Sequence, residues 1–170
     1  MGLYLIANGA MPTTAALVKV PTGVVIKTML QVNPGITTIA RIIEWGYSYD
    51  GVAAAIPGSV ELIETDVAAT VTASAANAIV KYDSDALLAG DPTTSLFQVG
   101  TTATGYTSTS EGAITESRYL AGPQLGAPTS QFIQQFPLGR EPVIQPQKYA
   151  RIRVTFAATV NMYCYLIIQV

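Results

Sequence analysis

The chain has 170 residues; 49% are apolar, only 12% are charged, and nine basic residues face eleven acidic ones for a formal net charge of −2. Soluble domains carry about 25% charged residues, so the charge is about half the usual. This excludes a strongly basic nucleic-acid-binding field and the polar, highly charged composition of disorder. One Cys excludes an internal disulfide framework and a Cys-rich zinc site. The absence of His removes the commonest acid–base group and metal ligand.

Residues 1–23 read as an N-terminal arm or edge segment, ahead of a single β-sandwich domain over 24–170. Met1–Ala16 is apolar, but the first basic residue is Lys19, so no positive stretch precedes an apolar one as in a signal peptide. Ile6 stands where a myristoylation signal requires Ser or Thr. A spanning helix needs about 20 apolar residues. Asn161–Val170, the run nearest to that, is too short. The expectation is a chain made in the cytoplasm, without a signal peptide or membrane span.

Val24–Val32 is rich in β-branched residues and ends at the turn Asn33-Pro34-Gly35. Thr37–Tyr49 is a long strand closed by Asp50-Gly51, and Val60–Thr65 follows Pro57-Gly58. Ala-rich 68–78 is ambiguous: Ala favours helix, while Val67, Thr70, Val71 and Thr72 lower that preference. A short helix at 73–81 competes with a long sandwich loop. Ser95–Val99, Thr101–Thr109, Gly112–Leu120 and Gln131–Phe136 read as further short strands, and Pro137–Pro146 as an ordered connection.

The last two strands are the clearest. In Ala150–Phe156, Ala150, Ile152, Val154 and Phe156 share one face and Arg151, Arg153 and Thr155 the other. A slip of one residue would bury both arginines, which fixes the register. In Asn161–Val170, Met162, Cys164, Leu166 and Ile168 alternate with Tyr163, Tyr165, Ile167 and Gln169. The second set is also largely apolar, so this strand is expected to be covered on both sides. About eight strands with regular turn signals give an all-β, antiparallel sandwich or jelly roll.

No motif carries a chemistry. Asp83-Ser84-Asp85 with Asp91 suggests a Ca²⁺ loop, but the twelfth position from Asp83 is Thr94, where such a loop needs Glu. A solvated turn is the ordinary reading. Glu61, Glu64 and Asp66 are candidate paired carboxylates for glycoside hydrolysis. Ion pairs with Arg41, Arg151 or Arg153 are the favoured alternative. Cys164 lacks a His partner and lies in an apolar strand, as a small buried hydrophobe would. None of the four lysines stands in a Ser-x-x-Lys motif. Nine Tyr and Trp45 suit a glycan-stacking surface, but also a core or a protein interface. Neither catalytic residues, cofactor nor metal are expected.

The surface carries more information. A monomer of this mass exposes about 8,000 Å², and well-behaved surfaces are about 25–35% charged. Twenty charged residues cover it thinly. The Thr, Ser and Gln content can keep the remainder wet, which leaves a monomer open; oligomerisation or docking on a larger assembly explains both the low charge and the doubly apolar last strand, with Tyr4, Leu5, Tyr163, Tyr165 and Ile167 as candidate interface residues.

Several segments taken together resemble a known group. They are Trp45-Gly46-Tyr47-Ser48-Tyr49-Asp50-Gly51, residues 60–68 (VELIETDVA), Thr104-Gly105-Tyr106 with Glu111-Gly112, Pro137-Leu138-Gly139-Arg140-Glu141-Pro142, Arg151-Ile152-Arg153-Val154-Thr155 and Asn161-Met162-Tyr163-Cys164-Tyr165. In this order, over roughly residues 40–165, the chain resembles head decoration (cement) proteins of tailed bacteriophages. The resemblance implies a β-sandwich or jelly roll, a homotrimer on the outer capsid surface and no catalytic residues. It implies two partners, the major capsid protein and the chain itself, with neither nucleic acid nor membrane. Competing expectations are a receptor- or glycan-binding module of a tail or head fibre, a tail-tube protein, and a hydrolase built on Glu61, Glu64 and Asp66.

Overall fold

The structure, a computed structural model, describes residues 2–10, 14, 16–51, 56–82 and 96–170. Among them are thirteen strands and a single 3-10 turn at Ala76–Ala78. The strands are β1 (Leu3–Ala7), β2 (Val20–Pro21), β3 (Lys27–Val32), β4 (Ala40–Tyr49), β5 (Gly58–Thr65), β6 (Thr70–Ala73) and β7 (Ile79–Lys81). Then follow β8 (Gly105–Ser110), β9 (Ser117–Gly126), β10 (Gln131–Gln135), β11 (Val143–Ile144), β12 (Tyr149–Thr155) and β13 (Asn161–Gln169).

They form two antiparallel sheets in a sandwich-like arrangement. The first has the order β10-β4-β13-β1-β7, with β11 pairing β4 and β2 pairing β13. The second has the order β6-β8-β3-β12-β5-β9. Ile42, Trp45, Leu166 and Ile168 from the first sheet join Leu30, Leu62 and Ile152 from the second in one fully buried core.

The alternation of the last two strands decides the layers. Met162, Cys164, Leu166 and Ile168 are buried, while Tyr163, Tyr165 and Ile167 remain half-exposed on the outer face. In β12, Ala150, Ile152 and Val154 point into the core. Arg151 is on the other face as the register requires, yet it is fully buried there. Its guanidinium donates to the carbonyls of Val67 and Glu111 and sits 3.4 Å from the Glu111 carboxylate. Chain segments crossing the outer face of the second sheet thus cover it, which alternation within one strand cannot foretell.

Several boundaries differ from the sequence expectation. The strand expected from Val24 starts at Lys27, and Val24, Val25 and Ile26 form an exposed loop. The strand expected at Gly112–Leu120 runs instead from Ser117 to Gly126, through Pro123. An edge position accounts for that proline: among the described residues β9 pairs only β5, so one side of it needs no donor. Leu96–Gly100 turns rather than extends and buries Phe97, and Ser95 lies outside the described residues. The short helix considered for 73–81 is the 3-10 turn between β6 and β7. Strands of two to four residues (β2, β6, β7, β11) leave too little periodicity to be read, which is why thirteen strands replace about eight.

The expected N-terminal arm needs correction as well. β1 lies between β13 and β7 and pairs with both, so Leu3–Ala7 is interior sheet rather than a free arm or edge. Where β1 stops, the Asn8 side chain extends the ladder: it accepts from the Cys164 N–H and donates to the Met162 carbonyl.

The sandwich has two different ends. At the hairpin end, Thr22 N–H bonds the Val160 carbonyl at 2.8 Å, Asp50 N–H the Asn161 carbonyl at 3.2 Å and Gly51 N–H the Pro128 carbonyl at 2.8 Å. At the termini end, Gly2 and Val170 exchange backbone bonds of 2.6 and 3.0 Å.

Candidate contact face

The outer face of the first sheet is the best-formed candidate site. Register builds it in rows. Leu5 of β1 lies between Val80 of β7 and Ile167 of β13. Tyr165 and Ile133 flank Gly46 of β4. Tyr163 stands two residues before Tyr165, their rings 6.1 Å apart and tilted by 36°. The result is a mostly apolar, aromatic band across neighbouring strands.

Gly46 makes the band possible. A Cβ there would lie 2.8 Å from the Tyr165 ring and its hydroxyl, so only glycine lets the ring lie down over β4. The Tyr165 hydroxyl then donates to Glu44 Oε1 at 2.6 Å. Burial, and next the bond to Glu44, push this phenol well above its usual range. Burial also raises Tyr163, with smaller contributions from Cys164 and Tyr82. Both tyrosines therefore stay neutral at any physiological pH. They offer ring surface and hydroxyl tips, which suits contact rather than proton transfer.

Four of the five expected interface residues share this face: Leu5, Tyr163, Tyr165 and Ile167. Tyr4 does not. Its alternation partner is Ile6, both are buried, and its ring packs edge-on against Phe97 with centroids 5.3 Å apart. Tyr47 and Tyr49 belong to the core too, where burial pushes the Tyr47 phenol up to about 12.

The other singled-out residues have structural partners. Glu61 pairs with Arg153, as expected. Glu64 pairs with Arg118 at 2.9 Å and accepts from the Gln145 N–H; Arg118 was not among the expected partners. Asp66 accepts from the Thr115 hydroxyl and from two backbone N–H groups, and these bonds hold its carboxyl down at about 2. Three carboxylates so engaged do not make the two free groups across a cleft that glycoside hydrolysis requires. Cys164 is fully buried, and burial raises its thiol well above the usual range. The Asp83–Asp91 candidate lies outside the described residues. Among the described residues no group of three or more metal-ligating side chains occurs, and no helix is long and apolar enough to cross a membrane.

Sequence reasoning missed one surface. An apolar hollow of about 160 Å³ opens beside Tyr163, lined by Leu17, Val18, Lys19, Asp50 and Met162. It leads from the contact face to the exposed loops of the hairpin end. No family model, curated protein or solved structure matches the chain.

Proposed function

We propose that this chain is a structural protein of a bacteriophage virion, a homotrimer that decorates and stabilises the outer capsid surface. The observation that carries the proposal is the partly exposed apolar and aromatic band of Leu5, Tyr163, Tyr165 and Ile167 on the outer face of the first sheet. Exposed contiguous apolar surface marks interaction sites, and sister subunits are the simplest cover for a flat sheet face. The sequence resemblance supplies the virion context, and the sandwich fold agrees with what it implies.

The mechanism is thermodynamic. A protein that binds assembled capsid and not its separated subunits stabilises the assembled state by mass action. Three linked contacts of modest strength act together with high effective concentration. The shell then resists internal pressure through contacts on its outside alone.

Imaging of the native assembly tests this directly, since it reports symmetry and location together. Threefold protrusions on heads support the proposal; hexameric rings in a tail, or no association with particles, contradict it. The Tyr163–Tyr165 pair with its hydroxyl tips favours glycan stacking as a second reading. A glycan array with hits abolished by Tyr165→Ala would favour that reading over decoration.

A further inference from the structure

The two ends of the sandwich differ in charge as well as in shape. At the hairpin end, Leu17, Val18, Val24, Val25, Ile56 and Leu125 are exposed, Val18 at 80% and Leu125 at 85%. Backbone bonds knit these loops into one surface: Thr22 to Val160, Asp50 to Asn161, Gly51 to Pro128. Register brings Leu125 beside Ser59, at the start of β5 just after Ile56, and Thr155 to the other side of Ser59.

Among the described residues, the charged groups at the loops of this end are Lys19, Asp50 and Lys27. Lys19 pairs with Asp50. The Lys27 ammonium donates to the Pro21 carbonyl at 2.8 Å. The termini end carries more charge, part of it paired, Arg118 with Glu64 and Lys148 with Glu116. Its exposed Ile36, Ile39 and Leu138 stand among Arg41, Glu116, Arg118, Arg140, Glu141 and Lys148.

We infer that the hairpin end is the surface by which the chain seats on its assembly, against an uncharged, apolar protein surface, with the charged termini end turned to solvent. This rests on the functional proposal above and adds the orientation to it. Complementarity is the argument. The hairpin end has few charges to desolvate, one ion pair and the Lys27 ammonium, so it meets an apolar surface at a smaller cost than the termini end. Burying it removes the exposed hydrophobes from water. Burying the termini end would desolvate several charges.

Two other occupants fit less well. An anionic bilayer is drawn by clusters of about four to eight basic residues, and among the described residues this end offers two, Lys19 and Lys27, the first of them paired with Asp50. A second copy bound end to end would consume the apolar end and leave the oligomer only its charged end for the shell.

The chain's single, buried Cys164 makes the test clean, because an introduced surface cysteine is the only accessible thiol. Val25→Cys and Leu125→Cys report the hairpin end; Leu138→Cys, at a position 98% exposed, reports the opposite end. Each is labelled with a maleimide, free in solution and bound to purified heads of the phage that encodes the chain. The expected result is at least a tenfold loss of labelling at positions 25 and 125 on heads, with position 138 labelled at its free rate. Chain present on heads with positions 25 and 125 still labelled, or with 138 protected instead, overturns the orientation alone. Chain absent from heads overturns the functional proposal, and the orientation with it. Two control arms guard the partner: protection in the free chain with pole-to-pole dimers by sedimentation assigns the surface to a second copy. Protection by vesicles of phosphatidylcholine, alone or mixed with phosphatidylserine, assigns it to a bilayer. Either result overturns the inference.

Discussion

The Tyr165 hydroxyl donates to Glu44 across 2.6 Å, and this bond holds the Tyr165 ring flat over Gly46. The pair turns a polar position on β4 into a footing for an aromatic surface. It also neutralises the hydrogen-bonding demand of Glu44 within the band. The contact face thus depends on three residues, one of which has no side chain.

Gly46→Ala is expected to disrupt this arrangement. The new Cβ would lie 2.8 Å from the ring, so Tyr165 must lift and lose its bond to Glu44. Overpacking of this kind costs about 1–3 kcal/mol. Urea denaturation measures the cost. The same substitution is expected to weaken self-association, which separates its effect on the contact face from simple loss of stability.

Glu111→Ala is expected to be among the most destabilising single substitutions outside the core. Arg151 is fully buried, and among the described residues its Nε has no hydrogen-bond partner and Glu111 is its one carboxylate partner. Burial lowers the Arg151 pKa and Glu111 opposes that shift. Removing one member of a buried ion pair costs about 3–5 kcal/mol. Glu111 also accepts from the Thr28 N–H and hydroxyl and from the Ser108 hydroxyl. The double variant Glu111→Gln with Arg151→Met is expected to recover part of the loss, read as a shift of the urea midpoint at unchanged slope.

Stability is expected to fall at low pH in part through Asp66. Its carboxyl is held at about 2 by the Thr115 hydroxyl first, then by backbone N–H groups of Glu116 and Thr115. An unfolded Asp titrates near about 3.9. The folded value is the lower one, so the contribution is fully present above pH 4 and is lost as pH falls from about 4 towards 2. Asp66→Asn is expected to flatten the dependence of the urea midpoint on pH in that window. An unchanged profile contradicts this assignment.

Cys164 is expected to be silent. It is fully buried and its thiol is raised by burial, so too little thiolate is exposed to react. A thiol reagent should titrate no group in the native chain and one in urea. Rapid native-state reaction contradicts the burial.

How much of this could be read from the sequence differs by element. β12 and β13 were legible to within one residue at each end, and in which side chains face the core, because seven to nine alternating positions leave a single register with a buried face. The outward residues of β13 supplied three members of the contact face, Tyr163, Tyr165 and Ile167. Tyr4 was not legible: β1 is five residues long and apolar on both faces, and only its pairing with both β13 and β7 shows which face is core. Val24–Ile26 misled for a related reason, since β-branched residues suit a strand but do not create a partner for one. The burial of Arg151 and its pairing with Glu111, 40 residues away, depend on chain crossing the sheet from elsewhere. No local pattern contains that.

The central claim is that the chain works as an oligomer through the Tyr163–Tyr165 face. Sedimentation equilibrium of the intact chain, alongside Tyr163→Ser with Tyr165→Ser, tests it most directly. The account predicts a trimer for the natural chain and a folded monomer for the double variant. A natural chain that sediments as a monomer of 17.9 kDa, or a double variant that remains trimeric, contradicts it.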